Sequence, residues 1–167
     1  IEGFKIDKDR LCEFTEGLTG KLAEYEAEIY ALAGEEFNIN STKQLGVILF
    51  EKLGLKIIKK TKTGYSTDAA VLEKLMGTHP IIEKIVTYRQ ASKLKSTYGD
   101  GLLAVINEES GKIHSSFNQT VTTTGRISST EPNLQNIPTR FELGKQLRKV
   151  FKPEEGNIYI DADYSQI

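Results

Sequence analysis

Apolar residues recur every three or four positions from Leu11 through Phe14, Leu18, Leu22, Tyr25 and Ile29 to Leu32. That spacing lays one apolar stripe along about seven helical turns. Asp7 is placed to cap the start, and Gly34 to end the helix. Gly17 and Gly20 interrupt it at roughly 1 kcal/mol each against Ala. So narrow a stripe reads as one arm of a set of packed helices. A short connection, Phe37 to Asn40, follows. Ser41 with Gln44 three residues on has the form of a capping box, opening a helix through Leu45, Ile48, Leu49 and Leu53 to Gly54. Further helices are predicted from Asp68 to Met76, from Pro80 towards Tyr98, and from Asp100 to Ile106.

Beyond Gly111 the period changes. Ile113, Ser115, Phe117 and Gln119 alternate with His114, Ser116, Asn118 and Thr120, which is strand periodicity. Thr122 to Ser129 is mostly β-branched and hydroxyl-bearing and predicts a second strand around Gly125. The two should pair antiparallel. Leu143 to Phe151 reads as a helix, Pro153 to Gly156 as a turn, and Asn157 to Ile167 as a last strand with Ile158 and Ile160 apolar. The expected class is α+β, with antiparallel helices over 1–110 and two or three antiparallel strands within 111–167. The chain shows no internal repeat and no low-complexity segment.

A chain of 167 residues with 38% hydrophobic and 27% charged residues suits a globular protein of one or two domains. No apolar run approaches the length of a membrane span, and no signal peptide opens the chain, so no membrane partner is expected. The lone Cys12 excludes an internal disulfide and a cysteine metal cluster. It fits a reducing, cytoplasmic setting. The net charge of −1 conceals an uneven distribution. Residues 1–36 hold 10 acids and 4 bases, residues 37–152 hold 9 acids and 18 bases, and residues 153–167 hold 4 acids and no base. A basic middle suits phosphate contact, and an acidic tail suits a cation.

The most distinctive chemistry lies between Thr122 and Arg140. Pro132 and Pro138 stiffen the backbone. Asn133, Gln135 and Asn136 carry amides that donate and accept, flanked by the guanidinium forks of Arg126 and Arg140. Such groups on an extended backbone match base edges and phosphates, although a polar surface loop has the same composition. Asn38, Asn40 and Ser41 stand at a helix N-terminus, where amides can seat a phosphate; Ser41 can also be only a cap. Lys59, Lys60 and Lys62, followed by Thr63 and Ser66, describe a loop tip able to grip phosphates or simply a solvated loop. Asp161 and Asp163, two apart on a predicted strand, would share a face and could hold a divalent cation. His114 and His79 read as local structure.

Three runs carry a resemblance. They are Gly125-Arg126-Ile127-Ser128-Ser129, Pro132 to Pro138, and Asp163-Tyr164-Ser165-Gln166-Ile167 at the end of the chain. In this order they resemble the family A DNA polymerases, the bacterial ones in particular. The likeness extends upstream through Phe37 to Ser41, Gln44-Leu45 and Leu94 to Tyr98, so it covers essentially the whole chain. It implies a helical thumb over 1–110 and a partial palm over 111–167. It implies template-directed nucleotidyl transfer from a deoxynucleoside triphosphate to a primer 3′ hydroxyl.

Residue by residue, the resemblance implies DNA contacts at Asn38, Asn40, Ser41, Thr63, Ser66, Arg89, Lys93, Arg126, Asn133, Gln135, Asn136 and Arg140. Arg126, Asn133, Gln135 and Asn136 are expected to meet the minor groove, whose acceptors vary little with sequence. Asp163 matches the catalytic, metal-binding aspartate of a two-Mg2+ site, and the Tyr164 carbonyl a backbone ligand. Asp161 falls where the family more often has a small or apolar residue.

The family's nucleotide-binding helix and second catalytic carboxylate find no match here. The chain therefore reads as an excised fragment that binds primer–template duplex without catalysis, the nucleotide being bound only by a complete enzyme. Its expected place is the bacterial cytoplasm, at the nucleoid. Self-association through the unpaired strand Asn157–Ile167 is a further expectation. The rival readings are a non-catalytic duplex-binding module and a helical interaction domain that touches no nucleic acid.

Overall fold

The computed structural model describes residues 2–62, 64–138 and 142–164. In chain order its elements are β1 (Phe4–Lys5), α1 (Lys8–Ala33), α2 (Thr42–Gly46), β2 (Lys60–Thr61), β3 (Gly64–Tyr65), α3 (Ala69–Leu75), α4 (Pro80–Leu94), α5 (Gly101–Leu103), β4 (Lys112–Ile113), β5 (Ser116–Asn118), β6 (Ser128–Thr130) and α6 (Glu142–Arg148). Wider π-helical turns, Val47–Lys52 and Lys95–Asp100, extend α2 and α4. The class is α+β as expected. The strands pair antiparallel as β1–β4, β2–β3 and β5–β6.

By its packing the chain divides into two compact units, residues 17–93 and residues 1–16 with 94–167. Helix α1 forms as its stripe predicts. Asp7 Oδ1 accepts from the Arg10 N–H at 3.2 Å, and Gly34 ends the helix at φ +76°. In the unit 17–93, Ile29 and Ala33 of α1 join Leu45, Leu49, Leu72, Leu75, Ile81 and Ile85 in one apolar cluster. In the other unit, β1 pairs with β4 in the register Phe4↔Ile113, and Ile6 bridges to Phe151. Its buried side chains include Ile6, Leu11, Tyr98, Leu102, Ile113 and Leu147. Thr15 comes so near Gly99 that a Cβ there would lie 2.9 Å from the threonine Oγ1.

Several expectations are corrected. The capping box is half formed: Gln44 N–H donates to Ser41 Oγ at 3.3 Å, but the Gln44 side chain reaches back to the Asn38 N–H, at 2.8 Å. The helices predicted on either side of Tyr98 are one continuous helical run, because the π turn Lys95–Asp100 carries the backbone from α4 to α5. The strand predicted over Thr122–Ser129 is confined to β6. Gly125 adopts φ +76° and the Thr122 hydroxyl donates to the Arg126 carbonyl, which folds 122–126 into a turn. Its pairing with β5 is as expected, in the register Ser116↔Thr130 to Asn118↔Ser128. The strand predicted from Ile113 is split, leaving His114 exposed between β4 and β5. The last strand does not form over 157–164. Ile158 and Ile160 stand 79% and 83% exposed, with no partner strand among the described residues. A strand needs a neighbour for its backbone groups, whatever its side-chain alternation.

Candidate nucleic-acid interface

In the unit 17–93, the turn before α2 is closed on itself. Asn38 Oδ1 accepts from the Asn40 N–H at 3.0 Å, and the Asn38 carbonyl accepts from the Ser41 N–H at 3.0 Å. The backbone amides of Asn38, Asn40 and Ser41 are thus used by the turn, and that of Gln44 by the Ser41 cap. Asn38 and Asn40 are themselves exposed. The Asn40 side chain bonds the Tyr88 phenol, whose pKa burial pushes up and this bond partly restores.

The predicted loop tip is a β-hairpin, with Lys60 opposite Tyr65 and Thr61 opposite Gly64. Lys60 and Lys62 are exposed. Tyr65 seats it: its ring centroid lies 5.2 Å from that of Phe50, and its hydroxyl meets Glu51 at 3.1 Å. Ser66 is buried, and its hydroxyl donates to Asp68 Oδ2 at 2.9 Å. Asp68 caps α3 by accepting from the Val71 N–H at 2.9 Å, which holds its carboxyl below the usual range. Arg89 is half-buried. One of its guanidinium nitrogens donates to the Thr67 carbonyl and the other to Thr67 Oγ1, at 3.2 Å. Lys93 is exposed. Thr63 lies outside the described residues.

In the other unit, the amide-rich loop is cross-braced from within. Ser129 Oγ donates to the Pro132 carbonyl at 3.3 Å and accepts from the Leu134 N–H at 3.2 Å. Gln135 Nε2 donates to the Ile127 carbonyl at 2.9 Å. Asn133 Oδ1 accepts from the Gln135 N–H at 2.9 Å, and its carbonyl from the Tyr98 hydroxyl at 3.2 Å. Glu131 and Pro132 are joined by a cis peptide. The loop therefore holds its shape by spending part of the polar capacity of Asn133 and Gln135 on itself. Arg126 and Asn136 are exposed. Arg140 lies outside the described residues.

Sequence reading missed Ser129 and Thr67, both 1% exposed. A serine closely followed by a proline, and a threonine just before a capping aspartate, were the available signals. Asp161, Asp163 and Tyr164 are exposed on the irregular segment after α6. Among the described residues no three His, Cys, Asp or Glu come together as a metal site would require. The described residues by themselves do not make a Mg2+ site.

The sequence profile of DNA polymerase family A matches residues 8–167. The chain belongs to DNA polymerase family A. It is 58% identical over 166 residues to DNA polymerase I of Bacillus subtilis and 56% identical over 165 residues to that of Caldicellulosiruptor bescii. Each match covers 99% of this chain and 19% of the relative, so the chain spans about a fifth of the length of the curated relatives it matches. Among solved structures, it is similar to the POL domain of Pol1 from M. smegmatis in complex with DNA primer-template and dNTP. That match has a TM-score of 0.83 and 41% identity, and covers 92% of this chain and 27% of that one.

Proposed function

We propose that this family A chain contributes duplex-DNA binding to template-directed DNA synthesis. The observation that carries the reading is the likeness, at a TM-score of 0.83, to a polymerase domain held in complex with primer-template and dNTP. The exposed cations Lys60, Lys62 and Lys93 supply non-specific attraction to phosphates, and Arg126 and Asn136 meet the minor groove beside the braced loop. In this reading residues 1–110 belong to the thumb and 111–167 to the palm. For the chain by itself the proposal is duplex binding without catalysis. Its place is the cytoplasm, at the nucleoid; no described helix is long and apolar enough to cross a membrane.

The test is titration of a primer–template duplex at increasing salt. We expect weak binding whose logarithm falls linearly with the logarithm of salt concentration, at about 0.9 per phosphate neutralised. Binding that does not change between low and physiological salt would sink the reading.

Asp163 and the Tyr164 carbonyl are proposed as this chain's share of a Mg2+ site in a polymerase of the relatives' full length. There, Asp163→Asn should nearly abolish nucleotide incorporation and leave primer–template affinity intact, while Asp161→Asn keeps most activity. Greater damage from Asp161→Asn, measured by steady-state incorporation, would reverse the assignment.

A further inference from the structure

Arg89 was expected to contact DNA, and the structure shows what its fork already holds. Both terminal guanidinium nitrogens donate to Thr67, one to its carbonyl and one to its hydroxyl. Thr67 is buried and lies two residues beyond Tyr65, the end of β3. Between them, the Ser66 N–H donates to the Lys59 carbonyl at 3.0 Å and closes the base of the hairpin. The Ser66 hydroxyl and the Lys59 ammonium both meet Asp68 Oδ2, at 2.9 and 3.4 Å. A rigid helix thus grips the exit of the hairpin through one arginine. The exposed Lys60 stands in the pair next to that base, opposite Tyr65, and the exposed Lys62 follows the far pair, Thr61 and Gly64, of the same short ribbon. A two-stranded ribbon of this length does not hold its own geometry in water.

We propose that Arg89 is a positioning residue that acts on duplex DNA through Thr67, aligning the hairpin so that Lys60 and Lys62 reach phosphates together. The inference rests on the DNA-binding reading. It differs from a direct phosphate contact in what it requires of the side chain. A phosphate contact needs a positive charge, which lysine supplies. The clamp needs a planar fork that can bond a carbonyl and a hydroxyl at once, which lysine lacks. Burial also lowers the Arg89 pKa with no acidic group offsetting it, consistent with a cation committed to neutral backbone and hydroxyl acceptors.

The decisive variant is Arg89→Lys, which leaves the net charge unchanged. Its primer–template affinity should fall several-fold, and its salt slope by about one to two, at about 0.9 for each lysine that leaves its phosphate. Thr67→Val, which keeps the shape and removes the hydroxyl, should shift the slope the same way by less. In a Lys60→Ala/Lys62→Ala background, Arg89→Lys should have no further effect on the slope. Without DNA, the Ser66 amide should exchange faster in Arg89→Lys than in the parent chain. An unchanged slope in both Arg89→Lys and Thr67→Val overturns the proposal, because a merely stabilising arginine or a direct phosphate contact would leave it so. Unchanged Ser66 exchange overturns the clamp even where DNA binds normally. Failure of the parent chain to bind duplex at low salt would instead overturn the DNA reading, whatever the exchange shows.

Discussion

Ser129 shows how one small side chain fixes the polar loop. Its hydroxyl is buried, gives its proton to the Pro132 carbonyl and takes one from the Leu134 N–H. Both bonds cross the turn that Pro132 begins, so they set where Asn133 and Gln135 lie. Ser129→Ala would leave a carbonyl and an amide short of partners in a half-buried loop. We expect a loss of about 1–3 kcal/mol of stability by chemical denaturation, the usual cost of unsatisfied buried groups. Weaker duplex binding should follow. Ser129→Thr retains the hydroxyl and should lose less. Equal stability of the alanine variant and the parent would show that the two bonds carry no weight.

At the scale of elements, the π-helical turns matter most. The Gly101 N–H donates to the Ser96 carbonyl, five residues back, and a Cβ at Gly101 would lie 3.0 Å from that oxygen. In this stretch Tyr98 faces inward and its hydroxyl reaches Asn133. Gly99 faces Thr15 of α1 so closely that a Cβ there would force the threonine side chain to shift. Gly99→Ala would push its Cβ against Thr15 Oγ1, which already donates to the Leu11 carbonyl at 2.8 Å. Overpacking of this kind costs about 1–3 kcal/mol. The expected result is a lowered thermal midpoint. Thr15→Ser removes the methyl that would sit 3.3 Å from the new Cβ and should restore part of the loss. An unchanged midpoint for Gly99→Ala would mean that the two backbones are free to separate.

For the molecule as a whole, the segment after α6 stands out. Residues 157–164 carry Ile158 and Ile160 almost fully exposed; Asn157 is tied back by its N–H to the Glu154 carbonyl and Tyr159 by its hydroxyl to the Lys152 carbonyl, both at 2.9 Å. An exposed apolar segment with no partner strand among the described residues is a template for pairing. Self-association through it is proposed. Sedimentation velocity should show concentration-dependent dimers that disappear in an Ile158→Lys/Ile160→Lys variant. A parent chain that stays monomeric at high concentration would rule this out.

The apolar stripe of α1, the Asp7 and Ser41 caps and the pairing of β5 with β6 were all legible in the sequence. Each depends on residues close along the chain, or on a side-chain period that local geometry enforces. The motifs around Arg126 and Asn133 likewise identified the family, because residue type and order carry that information without coordinates. Long-range partners had to come from the tertiary structure. Arg89 and Thr67 are 22 residues apart, and Tyr98 and Asn133 are 35 apart. Nothing in the local pattern says that a basic residue predicted to contact phosphate would close on a buried threonine. The last strand failed for the same reason: alternation is a property of one segment, whereas pairing is a property of two.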